Sequence, residues 1–408
     1  MFLFTGLGVR PGVNFYWLHD YLVRYMDYIK APLFFKIRKV LRYVKIYGLG
    51  RTLIKIKSQL HMAKTNEFTG DVWTNPRGSL GGDVAIVGCG NFAFSTIAFY
   101  VSKSTPGKIK YALDINKSRS MSLAKTYNVY QAVSDFDSIL TDPEISLIYI
   151  ASNHHSHAEY AARALEFGKN VHIEKPHAVN EAQLEKLAAS MVRNPNSKVF
   201  LGYNRPKSRL FKKLMSNMEY QSGPVTVNWF IAGHEIEADH WYFSEKEGGR
   251  VLGNLCHWSD LTIHLVGLDN CFPCTISPAV DPQSTSDFSY AISFADGSQA
   301  GFTFSAKGHT FEGVREYLNL HKGNLLANLQ DFGSLEMSIG ETVTKIRSLY
   351  RDHGHKKNIQ NSYIKAKSDD EGEDSFYVYA SGLLILKMKE ATDAGLVVTC
   401  NPKHLIPS

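Results

Sequence analysis

The chain has 408 residues, of which 44% are hydrophobic and 21% are charged, and its formal net charge is +6. This composition leaves ample material for a core and predicts two compact globular domains with an appendage. The mild net charge does not indicate a nucleic-acid-binding protein, because the basic residues are unevenly spread. No run of about eighteen apolar residues occurs, so no transmembrane helix is expected.

The five cysteines argue against a disulfide framework, since their number is odd and the chain is long. A reducing compartment fits best, and the N-terminal sequence lacks the features of a signal peptide, so a cytoplasmic location is expected. Cys271 and Cys274 form a CxxC pair, but a zinc site would need two further ligands and no second pair exists. We therefore expect no metal site and interpret these cysteines as loop residues.

Residues 1–80 read as a basic and aromatic extension that ends in a linker, residues 75–82. Residues 28–66 contain no acidic residue. The ten basic residues of this segment are Lys30, Lys36, Arg38, Lys39, Arg42, Lys45, Arg51, Lys55, Lys57 and Lys64. Apolar residues recur at helical spacing, namely Phe34, Ile37, Leu41 and Val44. The pattern predicts one or two basic amphipathic helices, which either lie on an anionic membrane surface or pack on the protein itself or across a dimer.

Short apolar runs alternate with helical patterns in residues 81–204. The strand-like runs are residues 83–88, 110–114, 146–151, 170–174 and 198–203. Ser156 with Glu159 predicts a capping box, Gly168 predicts the end of that helix, and Asn180 with Gln183 predicts the start of the next. Continuous apolar strands that alternate with helices predict a doubly wound parallel sheet with both faces covered, a Rossmann domain.

Residues 205–408 follow a different pattern, with antiparallel strands and a few helices. Residues 225–232 read as a strand, and residues 288–306 read as a hairpin that turns at Asp296-Gly297. Residues 316–332 read as a second hairpin. We expect an α+β domain that holds the substrate and mediates assembly into a homo-oligomer.

A glycine turn follows the first strand of the predicted Rossmann domain. The sequence Gly88-Cys-Gly90-Asn-Phe-Ala93 allows backbone N–H groups to approach a pyrophosphate, and Asp114 ends the second strand where a ribose-binding acid belongs. The alternative is a tight turn that binds no ligand. A carboxylate at Asp114 repels a 2′-phosphate, which favours NAD over NADP, although Lys117 and Arg119 could soften that preference.

The triplet Glu174-Lys175-Pro176 closes another predicted strand. A lysine at the carboxyl end of a parallel strand faces the crevice where ligands bind, and desolvation there lowers its pKa enough for proton exchange with a hydroxyl group. Taken alone, the triplet favours an ordinary exposed lysine in a loop.

Residues 152–179, with His157 before a helix and the Glu-Lys-Pro triplet after it, resemble the Gfo/Idh/MocA oxidoreductases. Two later motifs extend the resemblance, Gly202-Tyr-Asn-Arg205 and the sequence from Gly248 to Asp260, so that it spans roughly residues 83–400. The family implies a Rossmann domain beside an open-faced β-sheet domain. It also implies that Lys175 and His257 lie beside a nicotinamide and are catalytic.

The resemblance and the motifs together define the expected site. Expected cofactor-binding residues are Gly88, Gly90, Asn91, Phe92, Ala93, Asp114, Ser152, His157 and Glu174. Expected substrate-binding residues are Lys175, Asn204, Arg205, Asn254, His257 and Asp260. Many family members carry an aspartate four residues before the histidine, where this chain has Gly253, and the next residue, Asn254, is an amide that cannot act as a base. Proton removal therefore falls to His257 or Lys175, unless His257 is a packed, hydrogen-bonded residue.

The resemblance implies an oxidoreductase that moves a hydride between NAD and a secondary alcohol of a sugar. The polysaccharide-biosynthesis subgroup is the most similar, so a nucleotide-linked sugar is the expected substrate. Three alternatives stay open: a free sugar or inositol dehydrogenase, a glycosidase that uses NAD transiently, and a non-catalytic sugar-binding protein. NADP is not excluded as cofactor, and peripheral membrane contact through residues 28–66 would add a membrane-associated pool to the cytoplasmic one.

Overall fold

The computed structural model describes residues 32–236, 239–279, 287–307 and 313–402. The first 31 residues, which include Tyr28 and Lys30 of the basic segment and the sequence judged unlike a signal peptide, lie outside this description. Two helices come first in the described chain: α1 (Leu33–Tyr47) and α2 (Leu49–Met62). Within the described residues, no helix is both long and apolar enough to cross a membrane.

The first sheet has seven strands and forms the predicted Rossmann domain. Its strands are β1 (Val72–Thr74), β2 (Val84–Val87), β3 (Ile109–Leu113), β4 (Gln131–Val133), β5 (Leu147–Ile150), β6 (Asn170–Ile173) and β7 (Val199–Leu201). Their spatial order is β1-β4-β3-β2-β5-β6-β7, and all neighbours are parallel except β1 with β4. The five predicted strands are confirmed, whereas β1 and β4 are too short to show a pattern in the sequence.

Strand order in this sheet reverses at β2, so a crevice opens at its carboxyl end. The helices of this domain are a π-type segment (Ala93–Ala98) that continues as α3 (Phe99–Ser104), then α4 (Lys117–Tyr127), α5 (Asp137–Leu140), α6 (His157–Glu166) and α7 (Glu181–Arg193). Ala85 and Val87 face one hydrophobic core and Val84 and Ile86 face the other, because successive strand residues point to opposite sides. Both faces are therefore covered, as predicted.

The helix starts illustrate where local signals succeed. Asn180 caps α7 by accepting from the N–H of Gln183 at 2.9 Å, as predicted. The prediction of a capping box at Ser156 and Glu159 is wrong. The Ser156 side chain does not cap α6, and Glu159 forms an ion pair with Lys186 at 2.6 Å instead.

The second sheet has nine strands, and one of its faces is covered. The strands are β8 (Thr226–Ala232), β9 (Cys274–Pro278), β10 (Asp287–Ser293), β11 (Gln299–Ser305), β12 (Arg315–Lys322), β13 (Leu325–Gln330), β14 (Ser334–Ile339), β15 (Thr342–Arg347) and β16 (Val398–Cys400). The order is β15-β14-β13-β12-β8-β11-β10-β9-β16, in which β8 and β11 are parallel. Both predicted hairpins are confirmed, β10–β11 and β12–β13. Exposed and buried residues alternate along β8, which identifies an open-faced sheet.

Five helices accompany the second sheet. They are α8 (Arg209–Met218), α9 (Cys256–Val266), α10 (Leu268–Cys271), α11 (His355–Lys365) and α12 (Ser375–Ala394). Helix α11 returns to the first sheet, where the backbone oxygen of Ile359 accepts from the hydroxyl of Tyr149 at 2.8 Å. The side chain of Asn358 also donates to the backbone oxygen of Leu201. This late segment therefore completes one face of the Rossmann domain.

At the start of the predicted linker, Asn75 is buried and its side chain donates to the backbone oxygen of Ala124, whereas Pro76, Arg77, Leu80 and Gly81 are exposed. One other expectation needs correction. Cys271 and Cys274 are buried residues that end α10 and begin β9, so they are not exposed loop residues. The described residues contain no group of side chains suited to a metal ion, and these thiols are free.

Candidate active site

A cavity of about 750 Å³ lies at the carboxyl ends of β2, β3, β5 and β6. This is the crevice where open parallel sheets bind ligands. Eight of the nine expected cofactor-binding residues line it, namely Gly88, Gly90, Asn91, Phe92, Asp114, Ser152, His157 and Glu174. Lys175 lines the same cavity. Ala93, the ninth residue, is buried in the first turn of the following helix.

The two glycines of the turn serve different purposes. Gly88 has φ of 85°, and a Cβ there would lie 2.4 Å from the backbone oxygen of Ala151, so a larger residue cannot be accommodated. At Gly90 no atom lies within 4 Å of the place where a Cβ would stand. The first glycine thus permits close packing between β2 and β5, and the second leaves room for a ligand.

Asp114 holds the turn as well as facing the cavity. Its Oδ2 accepts from the N–H of Cys89 at 2.6 Å, and its Oδ1 accepts from the N–H of Asn116 at 2.8 Å. Each carboxylate oxygen has a further lone pair, so the group can still accept from a ribose hydroxyl. Lys117 donates to the backbone oxygen of Gly70 and faces away from the cavity. Arg119 lines the cavity beside Asp114 and is the cation that could soften the preference for NAD.

His157 ties together two loops of the cavity wall. Its Nδ1 lies 2.8 Å from the backbone oxygen of Pro176 and its Nε2 lies 3.1 Å from that of Ser152. Burial lowers the pKa of His157, so the ring is neutral near pH 7 and donates one of these two bonds. The histidine therefore positions the loop that carries Lys175.

Lys175 is a charged hydrogen-bond donor. Its Nζ donates to the backbone oxygen of Gly253 at 2.7 Å. Burial lowers the pKa of Lys175, while electrostatic interactions with Tyr242, Cys256 and Glu174 raise it, and the pKa lies above its usual value. The sequence argument that desolvation lowers this pKa is therefore wrong. Lys175 suits the stabilisation of a negative oxygen better than the removal of a proton.

Tyr242 occupies the space next to Gly253. A Cβ at position 253 would lie 2.7 Å from Cε2 of Tyr242 and 3.1 Å from Cε1 of His154. Tyr242 also lines the cavity with Lys175. An aromatic ring thus fills the space that a side chain at position 253 would take, which no motif in the sequence indicates.

His257 is held neutral, and neither His257 nor Asn254 is among the residues that line the cavity. Burial lowers its pKa well below the usual value, and the positive charges of Arg205 and Lys175 lower it further. Its Nδ1 and the Oδ1 of Asn254 have no hydrogen-bond partner among the described residues. A neutral imidazole with an open nitrogen can accept a proton, and a nearby amide oxygen can accept a hydrogen bond from a hydroxyl.

Arg205 is part of a buried ion pair behind the site. Its Nε and Nη2 donate to the two carboxylate oxygens of Glu316 at 2.7 and 3.1 Å. The indole N–H of Trp258 donates to the same carboxylate at 2.7 Å, and the guanidinium lies over that indole ring. Arg205 therefore supports the wall behind the site, and it is not among the residues that line the cavity.

Asn204 and Asp260 also lie in this supporting wall. The amide of Asn204 donates to the backbone oxygen of His353 at 2.5 Å. The hydroxyl of Tyr377 donates to Oδ1 of Asp260, and burial raises the pKa of Asp260 to about 8. Neither residue lines the cavity that Lys175 faces.

A loop that sequence reasoning missed closes one side of the cavity. Trp241, Tyr242, Ser244 and Glu247 line the cavity from this loop. Glu247 fastens it, because its Oε1 accepts from the Asn153 amide at 2.6 Å and its Oε2 accepts from the N–H of His155 at 3.3 Å. The aromatic run just before Gly248 was the available signal, but its position depends on contacts about ninety residues away.

Residues 83–203 match the Gfo/Idh/MocA family, described as an oxidoreductase family with an NAD-binding Rossmann fold. Oxidoreductase P35 of Formosa agariphila is 30% identical over 131 residues, which are 32% of this chain and 40% of that protein. Levoglucosan dehydrogenase of Pseudarthrobacter phenanthrenivorans is 28% identical over 187 residues, 43% and 47% of the two chains. Myo-inositol 2-dehydrogenase of Thermotoga maritima is 26% identical over 137 residues, 33% and 40% of the two chains. The matched part is less than half the length of each relative.

Solved structures resemble the chain over a longer stretch. A levoglucosan dehydrogenase in complex with NADH and levoglucosan has a TM-score of 0.68 at 16% identity and covers 78% of this chain and 99% of its own. GenD2 from gentamicin A biosynthesis, in complex with NAD, has a TM-score of 0.65 at 17% identity and covers 81% of this chain and 100% of its own. At such low identity the likeness shows the two-domain fold alone.

Proposed function

We propose that the chain is an NAD-dependent oxidoreductase of sugars or polyols, because residues 83–203 match the Gfo/Idh/MocA oxidoreductases and their NAD-binding Rossmann fold. The observation that carries the proposal is that the glycine turn and the ammonium group of Lys175 face one cavity. A dinucleotide and a charged donor for a reacting oxygen can therefore meet there.

The residues of the cavity fit a dinucleotide. The open side of Gly90 and the start of the next helix would take the pyrophosphate, and Asp114 would accept from the adenosine ribose. When bound, NAD accepts or supplies the hydride. Ala93 would not contact the cofactor, because it is buried in the helix that follows the glycine turn.

For the chemical step, we propose that His257 removes the proton of the substrate hydroxyl group. The lowered pKa of His257 keeps its imidazole neutral near pH 7, so one ring nitrogen has a lone pair that can take the hydroxyl proton of a secondary alcohol. Lys175 keeps its proton and donates a hydrogen bond to the same oxygen as negative charge develops on it. In ketone reduction His257 returns the proton. Asn254 orients the hydroxyl group, and Asn204, Arg205 and Asp260 support these side chains.

The substrate is a sugar or polyol in this proposal, and a nucleotide-linked sugar for polysaccharide synthesis stays a prediction. Relatives named as levoglucosan and myo-inositol dehydrogenases support a free sugar or cyclic polyol equally well. A panel of levoglucosan, myo-inositol, D-glucose and uridine-diphosphate sugars, each incubated with purified protein and NAD, separates these choices through NADH absorbance. Glycoside cleavage without NADH accumulation would instead identify a glycosidase. Inactivity towards all classes, with sugar binding retained, would identify a non-catalytic protein.

We propose that any membrane contact is made by α1. None of its residues is buried, and Leu33 and Phe34 are 72% and 71% exposed. Basic residues share the helix with this apolar side, as in helices that lie on anionic membrane surfaces. The cytoplasmic location expected from the sequence is compatible with such reversible contact.

A homo-oligomer also stays a prediction, and the open face of the second sheet is the surface we propose for it. Phe230 on β8 and Leu326 on β13 are exposed there. Sedimentation velocity of the wild type and of Phe230→Asp tests this, since a charge at the centre of a subunit interface shifts the assembly towards monomer. Equal sedimentation of both would assign the interface elsewhere.

A further inference from the structure

The glycine turn is held from outside by helix α2, which lies beyond the region that matches the family. Nε2 of His61 donates to the backbone oxygen of Cys89 at 2.7 Å. The N–H of the same Cys89 donates to Asp114 at 2.6 Å. The central residue of the turn is therefore fixed on both sides, by the ribose-binding acid on one and by α2 on the other.

Three further contacts continue along the turn and the helix after it. The hydroxyl oxygen of Ser58, which has one proton to donate, lies 3.0 Å from Oδ1 of Asn91 and 2.8 Å from the backbone oxygen of Lys55, and Asn91 lines the cavity. The ring of His61 stacks on Phe94, with centroids 4.2 Å apart and planes 19° apart. Arg51 donates to the backbone oxygen of Ser95. Successive turns of helix α2 thus contact the segment that would bind a pyrophosphate.

These contacts belong to the interior of the protein. Ser58 is 1% exposed and His61 is 2% exposed, and Ile54 of the same helix joins the core on one face of the first sheet. Burial lowers the pKa of His61, so its ring is neutral. A neutral ring has one N–H, which must be on Nε2 because a carbonyl oxygen only accepts. Met62, the next residue, lines the cavity itself.

We propose that helix α2 supports the dinucleotide site through two of its residues, and that Ser58 and His61 are positioning residues for the pyrophosphate-binding turn. A turn binds a diphosphate well when its N–H groups are already aimed at it, because no binding energy is then spent on ordering the chain. His61 fixes the peptide at Cys89, and Ser58 fixes the side chain that follows Gly90. The inference rests on the proposed binding of NAD.

The chemistry of the ligand gives a test that a general loss of stability would not pass. NADH and ADP-ribose carry a pyrophosphate, whereas AMP shares their adenosine but has no pyrophosphate. Calorimetric titration of the full chain should show that His61→Ala lowers the affinity for NADH and for ADP-ribose about tenfold, roughly the effect of losing one hydrogen bond. The affinity for AMP should stay within about twofold of the wild-type value. Ser58→Ala should act in the same direction and more weakly.

Two matched variants complete the experiment. His61→Gln keeps a side-chain N–H that can donate to Cys89, and should recover part of the lost NADH affinity. Lys57→Ala changes an exposed residue of the same helix and should leave the affinity for each ligand unchanged.

The outcomes separate this inference from the proposed function. If the wild type does not bind NADH, the proposed function fails. If it binds NADH and His61→Ala binds equally well, the positioning role is wrong and the function stands. An equal loss for NADH and AMP, accompanied by a lower melting temperature, would also overturn the positioning role, because it would show only a destabilised fold.

Discussion

The ammonium nitrogen of Lys175 lies 2.7 Å from the backbone oxygen of Gly253. This bond joins the end of β6 in the first domain to the segment that leads into α9 in the second, and it adds to the bonds that Glu247 makes between the same two domains. The ammonium group has two more protons to donate, and the cavity is where they can reach a substrate oxygen.

Lys175→Met should abolish turnover while NAD affinity stays within a few-fold. The side chain is proposed to act at the substrate oxygen, and losing a positioned group of this kind typically lowers the rate about 10²–10⁴-fold. Steady-state kinetics and NAD titration on the same preparation measure both quantities. A fully active variant would show that Lys175 has no role in the chemical step. His257→Ala should be impaired to a similar degree.

Gly253→Ala should damage the site through Tyr242. The added methyl group would lie 2.7 Å from the Tyr242 ring, so the ring must move away from the cavity. We expect kcat/KM to fall about tenfold, and to fall much less when the same change is made in a Tyr242→Ala background. Equal effects of Gly253→Ala in both backgrounds would mean that the two residues are not coupled.

Asp114→Ala should weaken NAD by more than the loss of a ribose contact, because the N–H groups of Cys89 and Asn116 also lose their acceptor. In equilibrium titrations we expect the affinity of Asp114→Ala for NAD to be about 100-fold lower than that of the wild type. The affinity of Asp114→Asn should lie between these two values. The wild type should prefer NAD to NADP. Equal affinity of the wild type for both would show that Arg119, not Asp114, governs the choice.

Stability should fall as the pH falls from about 7 to 5, in part because of His177. Burial lowers the pKa of this residue to about 4, so the folded protein leaves it neutral where the unfolded chain protonates it. The unfolded state then binds more protons, which lowers the free energy of unfolding by about 2 kcal/mol over this range. His177→Gln should reduce that pH dependence by a similar amount in urea titrations. An unchanged pH dependence would argue that His177 is protonated in the fold.

Vesicle binding should depend on α1 and not on α2. Protein is expected to sediment with anionic vesicles at low salt and to be released as salt rises, since the attraction is screened within about 10 Å at 0.1 M salt. The double variant Phe34→Ser, Leu41→Ser should lose binding, whereas Leu60→Ser on α2 should keep it. No binding by the wild type at low salt would leave packing against protein as the role of α1. Point substitutions are used here because deletion of residues 1–66 would also remove α2 and its contacts with the glycine turn.

The parts of the site that the sequence could predict are those built from neighbouring residues. Strand β2, Gly88 and the following helix are consecutive, and each requirement of the turn appears as a residue type at a fixed spacing. Lys175 was predictable because the end of a parallel strand always faces the crevice. In these cases local geometry alone decides where a side chain lies.

The remaining parts depend on contacts between distant segments. Tyr242 fills the space at Gly253, and His61 bonds to Cys89, because separate elements pack there, and neither pair shares a local pattern. The basic segment shows the same limit. Its helical spacing was clear, but only the packing reveals that α2 joins the core while α1 faces outward.

The most direct test of the central claim follows the hydride itself. The protein is incubated with NAD and a sugar or polyol that is active in the panel and carries deuterium on its carbinol carbons, and the cofactor is then examined by mass spectrometry. We expect the wild type to produce NADH that carries one deuterium and Lys175→Met to produce none. Conversion of the sugar by the wild type without deuterium in the cofactor would contradict hydride transfer between this protein's substrate and NAD.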